Sequence, residues 1–142
     1  SERASAVVEL VAREDAVTLL ASFFSREARN QFGSPYRDIG AYEPALVAAA
    51  RLGPLAKPLE AYLREAASDG WPQGAMALGQ LGTLDQASVD CLVRVVEQGR
   101  VSAKAEALGA LVRCGHGTLP AIERLGESSE PWRRTIASLR SE

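Results

Sequence analysis

The stretches "MALGQLGTLDQASVDCLVRVV" (76–96) and "EALGALVRCGHGTLPAIERL" (106–125) spell one pattern thirty residues apart. In each, an alanine-leucine-glycine run is followed by a turn and then by an amphipathic helical segment. Apolar residues recur at the 3.6-residue helical period in both halves. The glycine is the odd member, because Gly79 sits inside a helical pattern where glycine costs roughly 1 kcal/mol relative to alanine. Its counterpart Gly109 occupies the same place in the second copy, so the same cost is accepted twice.

Working outward, a weaker third copy is "YEPALVAAARLGPLAKPLEAYL" (42–63). First helices align as "ALVAAARLG" (45–53), "GAMALGQLG" (74–82) and "KAEALGALV" (104–112). In the second helices Leu59, Val89 and Leu119 are each thirty apart, as are Tyr62, Leu92 and Ile122. Leu63 matches Val93 and Ala66 matches Val96. Agreement in both members of a pair, in one register, marks a repeat.

Punctuation supports the helices. Pro44, Pro72, Pro120 and Pro131 each precede an apolar helical pattern, as proline at a first helical position does. Asp69, Thr118 and Ser129 stand just upstream as caps or entry-turn residues. Gly53, Gly70, Gly82, Gly99, Gly115 and Gly126 lie near the far ends. The period predicts helices over 4–13, 15–30, 44–52, 55–68, 72–81, 85–98, 101–113, 119–126 and 130–140, with no sheet.

These residues resemble short HEAT repeats of about thirty residues, the variety found in phycobilin-lyase-like repeat proteins. The likeness covers 42–140, and Asp85 fills the acidic turn position common in the family, whereas "CGHGTLP" (114–120) has no acid there. The resemblance implies an all-α fold: a right-handed, armadillo-like α-solenoid of helical hairpins in a single domain, 1–142. Within it, 4–30 reads as a divergent helical pair, 31–43 as a long aromatic loop and 44–140 as the repeats. In such a stack first helices pack side by side, and small residues at one recurrent position (Ala50, Gly79, Gly109) let backbones approach. The resemblance also implies that second helices line the concave surface.

Composition narrows the function. Sixteen Lys and Arg stand against eighteen Asp and Glu in 142 residues, and neither half of the chain is basic. The non-specific pull on a phosphate backbone is therefore missing, and nucleic acid is an unexpected partner. Two cysteines, Cys91 and Cys114, with one histidine, His116, do not spell a zinc site. We expect buried free thiols, a cytoplasmic setting and no metal or other cofactor. No run is long and apolar enough for a membrane span, and no signal peptide is visible. Starting at Ser1, the chain reads as part of a longer protein.

Two candidate surfaces emerge. Arg64, Arg94 and Arg124 are thirty apart on successive second helices. Glu60 and Asp90 stand four residues before the first two, a spacing for intrahelical pairs worth ~0.2–0.5 kcal/mol each. Glu97 and Glu127 share another register beside the ladder. The ladder reads either as a grip for an acidic peptide, through bidentate arginine forks, or as a solvated, self-neutralising face. The second surface is "NQFGSPYRDIGAYEP" (30–44), whose Phe32, Tyr36, Arg37 and Tyr42 are residue types of interface hot spots or of a flap sealing one end. Trp71 and Trp132 read as packing at helix starts. No catalytic constellation is visible: Cys114 and His116 share a glycine turn, and no nucleophile elbow or phosphate loop occurs.

The function expected is a non-enzymatic protein-protein interaction module, an adaptor, scaffold or inhibitor-type binder. Its partner-binding residues are Arg64, Arg94, Arg124, Asp90, Glu97, Tyr36, Arg37 and Tyr42. The alternative is an enzyme or enzyme subunit resembling bilin lyases or HEAT-like DNA-repair glycosylases.

Overall fold

Helices and turns account for the residues described in the computed structural model, 15–27 and 39–142, and no strand occurs among them. They are α1 (Ala16–Glu27), α2 (Ile39–Leu52), a 3-10 helix (Gly53–Leu59), α3 (Glu60–Ser68) and α4 (Pro72–Gly79). After these come α5 (Gln86–Gln98), α6 (Val101–Arg113), α7 (Pro120–Ser128) and α8 (Glu130–Arg140). The helix expected over 4–13 lies outside the described residues, as do Phe32, Tyr36 and Arg37.

Helices alternate between two rows. In one, α2 packs on α4, α4 on α6 and α6 on α8; in the other, α3 packs on α5 and α5 on α7. Across the rows α3 meets α4, α5 meets α6 and α7 meets α8, while α1 lies on the 3-10 helix and α2. One continuous apolar core runs between them, from Leu20 and Phe24 to Ile122 and Ile136. The thirty-residue register supplies it: Leu78 and Leu108 are fully buried, as are Leu92 and Ile122.

Gly79 accounts for the alanine-leucine-glycine motif. A Cβ built there would lie 2.9 Å from Ala110 Cα and 3.0 Å from Ala110 Cβ, so the backbones of α4 and α6 touch at this point. Gly109 is different: a Cβ would meet only the tip of Leu139, at 4.0 Å. Its place in the next contact is looser because α8 approaches through a leucine rather than through backbone. Ala50, the third member, is half-buried. Gly74, which the repeat pattern did not single out, makes the tightest approach between rows, 2.6 Å from Ala67 N and 2.8 Å from Ala66 Cβ.

Four turn glycines, Gly53, Gly70, Gly82 and Gly115, have positive φ, the left-handed conformation that ends a helix without a Cβ clash. Gly99 is extended and Gly126 is a buried residue inside α7, so these two do not serve as left-handed stops. Pro72 and Pro120 open α4 and α7, and Pro131 lies in the first turn of α8. Pro44 does not open a helix. It lies inside α2, which begins five residues earlier at Ile39. Residues 55–59, expected as α-helix, instead form the end of the 3-10 segment, where Pro54 and Pro58 each withhold a backbone N–H. Asp69 and Thr118 stand in the turns before α4 and α7, as entry-turn residues, while Trp71 and Leu119 hold the N-cap positions; Ser129 stands at the α8 N-cap without a side-chain hydrogen bond.

Candidate functional site

The earlier start of α2 changes the reading of the aromatic stretch. Tyr42 is on that helix and 2% exposed, so it is a core residue and not part of a binding loop. Its ring sits edge-on to Phe24 at 6.0 Å and to Trp71 at 5.1 Å, and Phe24 stacks on Tyr62 at 5.8 Å. The aromatic cluster joins α1, α2 and α3 to the first residue before α4. Such edge and offset pairs each add about 0.5–1.5 kcal/mol beyond area burial.

The arginine ladder is on α3, α5 and α7, and its three members have three different surroundings. Arg64 is half-buried and its Nη1 donates to Ser88 Oγ at 3.3 Å. Arg124 reaches back to Glu97, Nη2 to Oε2 at 3.1 Å, across α7 and α5. Arg94 is exposed and makes no ion pair among the described residues. Neither expected intrahelical pair forms. Asp90 accepts from Gln86 Nε2 at 2.9 Å, one turn earlier, rather than from Arg94.

Glu60 turns inward instead of toward Arg64. It is 4% exposed, with Lys57 Nζ 2.5 Å from Oε1, the Asp85 N–H donating to Oε2 at 2.8 Å and Ser88 Oγ donating to Oε2 at 2.6 Å. Burial pushes this carboxyl toward the neutral form. Hydrogen bonds from Lys57, Ser88 and the Asp85 amide outweigh burial and hold it below its ordinary value. Lys57 is raised in turn, chiefly by its hydrogen bond to Glu60, and also reaches Thr83 O at 3.3 Å. Lys57 stands at helical spacing from Glu60, but that spacing gave no sign of the Asp85 and Ser88 contacts, because both arrive from the following repeat.

Between the second helices runs a groove. One recess, about 380 Å³, is bordered by Arg64 and Glu65 of α3 and by Asp90 and Arg94 of α5. It adjoins another of about 500 Å³, where the ends of α3 and α5 meet the start of α6 and where Ala67, Ser68, Asp69, Arg94 and Arg100 line the wall. Cys91 lies beneath both, 2% exposed, its thiol pushed up by burial despite the pull of Arg94 and Arg64. The thiolate form is therefore suppressed. Both cysteines are free. Of the expected partner-binding residues, the groove brings together Arg64, Arg94 and Asp90. Glu97 and Arg124 pair one repeat further on, and Tyr36 and Arg37 lie outside the described residues.

Among the described residues no three His, Cys, Asp or Glu side chains gather as metal ligands, and no helix is long and apolar enough to cross a membrane. No family model, curated protein or solved structure matches this chain.

Proposed function

We propose that this protein is a non-enzymatic protein-interaction module. In this reading it is a short, right-handed α-solenoid of HEAT-like repeats that works in the cytoplasm and holds an acidic partner along its second helices. The solenoid reading is supported by the thirty-residue register and by helices that each pack on the helix after next. The observation that carries the binding reading is the groove between α3 and α5. It is an arginine-bordered channel of mixed polar and apolar lining, with Arg64 and Arg94 at equivalent positions of successive repeats. Arginine forks suit carboxylates. The balanced overall charge favours a protein partner over a polyanion such as nucleic acid.

The test is recovery of the native partner from source-cell extract on immobilised wild type and on an Arg64→Ala/Arg94→Ala/Arg124→Ala variant. Wild type should retain a partner that the triple variant loses. Equal recovery would remove this face from the function. Firm retention on heparin at low salt would favour a nucleic-acid role instead.

A further inference from the structure

The repeat carries its own template for a ligand. Arg124 is satisfied by Glu97, twenty-seven residues earlier on the preceding second helix. The same step back from Arg94 arrives at Ala67, which has no carboxylate to offer. Forward, Arg64 is satisfied by Ser88, but the equivalent of Ser88 for Arg94 is Thr118. That residue is exposed in the turn before α7, because α7 starts later in its repeat than α5 does. Arg94 therefore lacks both built-in partners, and a recess of about 500 Å³ is lined by Arg94 and by Ala67, which is itself 2% exposed.

We propose that this recess seats an acidic side chain, glutamate or aspartate, of a partner protein. The incoming carboxylate takes toward Arg94 the place that Glu97 holds toward Arg124. Arg100 lines the same recess as a second guanidinium, and Ser68 adds a hydroxyl donor. Asp69 also lines it and opposes an acid, leaving two cations against one anion, and Asp69 is itself engaged in an interaction of its own. The recess between α7 and α8 has no such opening, because Arg140 is held by Gly117 O and Glu123 and Arg133 by Gly126 O and Glu130. The inference rests on the interaction-module reading and assigns its anchor to one position rather than to the whole ladder.

The experiment is fluorescence anisotropy at low ionic strength with a labelled oligoglutamate peptide, acetylated and amidated so that only side chains are acidic. An oligoglutamine peptide is the control. Wild type should prefer glutamate, and Arg94→Gln, at an exposed position, should weaken that binding about five- to tenfold. Arg124→Gln should change it less than about twofold, since Glu97 already occupies that arginine. Ala67→Glu should block the seat from within, with circular dichroism and melting checking its fold. If Ala67→Glu does not fold, Arg94→Gln still decides. No preference for glutamate, or unchanged binding by Arg94→Gln, overturns the seat. Loss by the triple variant with retention by Arg94→Gln would keep the interaction face and discard only this anchor.

Discussion

Ser88 donates its hydroxyl proton to Glu60 at 2.6 Å across 28 residues of sequence, tying the first turn of α5 to the first turn of α3. The bond joins two repeats at a point where both side chains are buried. A hydrogen bond to a charged acceptor contributes about 1.5–3 kcal/mol. Ser88→Ala should therefore destabilise the fold by about that amount in urea unfolding, and Glu60→Ala by at least as much. A double-mutant cycle should give a coupling on the order of 1 kcal/mol. Additive effects would mean that the contact carries no energy of its own.

The same cluster sets a pH dependence. Glu60 is held below its ordinary value of 4.5, so it adds stability that is complete above that pH and lost as pH falls through the lower folded value. Lys57 is raised above 10.5, so its share is present below that pH and lost as pH climbs through the higher folded value. Melting temperature should decline at both extremes. Glu60→Gln, already less stable at neutral pH, should show a flatter acid limb than wild type. An acid limb of unchanged steepness would assign the loss to other carboxylates.

At Gly79 two effects oppose one another. Alanine gains up to about 1 kcal/mol in helix propensity, less here because the residue ends α4. Against this, the new methyl would press on Ala110 backbone at 2.9 Å, and overpacking costs roughly 1–3 kcal/mol. Gly79→Ala should lower the melting temperature, and Gly79→Leu should lower it further. Gly109→Ala, with only a leucine tip 4.0 Å away, should raise it slightly. Equal responses at the two glycines would sink the close-approach explanation.

What the sequence made legible follows from what repeats. Leu78 with Leu108, and Leu92 with Ile122, declare both the helices and their buried faces, because a face that must bury in every copy is written in every copy. Gly79 is legible for the same reason. Contacts between copies are less so. Glu60 has a helical neighbour of opposite charge in Arg64, and local spacing pairs them, yet it turns instead to Lys57, three residues earlier, and to two donors 25 and 28 residues away. Pro44 misleads in another manner: it is the sixth residue of α2 rather than the first, so this helix forgoes one backbone hydrogen bond there, begins before the proline and carries Tyr42 into the core. The gap beside Arg94 is present in the sequence as Ala67 standing thirty before Glu97. Only the direction in which Arg124 reaches reveals that the gap matters.

Tyr42 separates a core role from a surface role. Its ring is enclosed by Phe24 and Trp71, and removing a buried aromatic ring costs about 3–5 kcal/mol. Tyr42→Ala should therefore lower the midpoint of urea unfolding strongly and shift Trp71 emission to the red as that ring gains water. A binding-loop residue would leave both unchanged.

The two thiols report on the two rows independently. Cys91 lies between α3 and α5, its thiol donating to Arg64 O at 3.6 Å, and Cys114 ends α6 with its thiol on Gly79 O at 3.6 Å. Burial raises both thiols, but Cys91 is fully enclosed and Cys114 only half so. Under a thiol reagent at neutral pH, Cys114 should react first. In a Cys114→Ser background Cys91 should react only as fast as α3 and α5 part, since the reagent needs an opened state. Gly79→Leu, which forces α4 from α6, should speed Cys114 more than Cys91. Equal acceleration of both would show that the helices open as one cooperative unit rather than contact by contact.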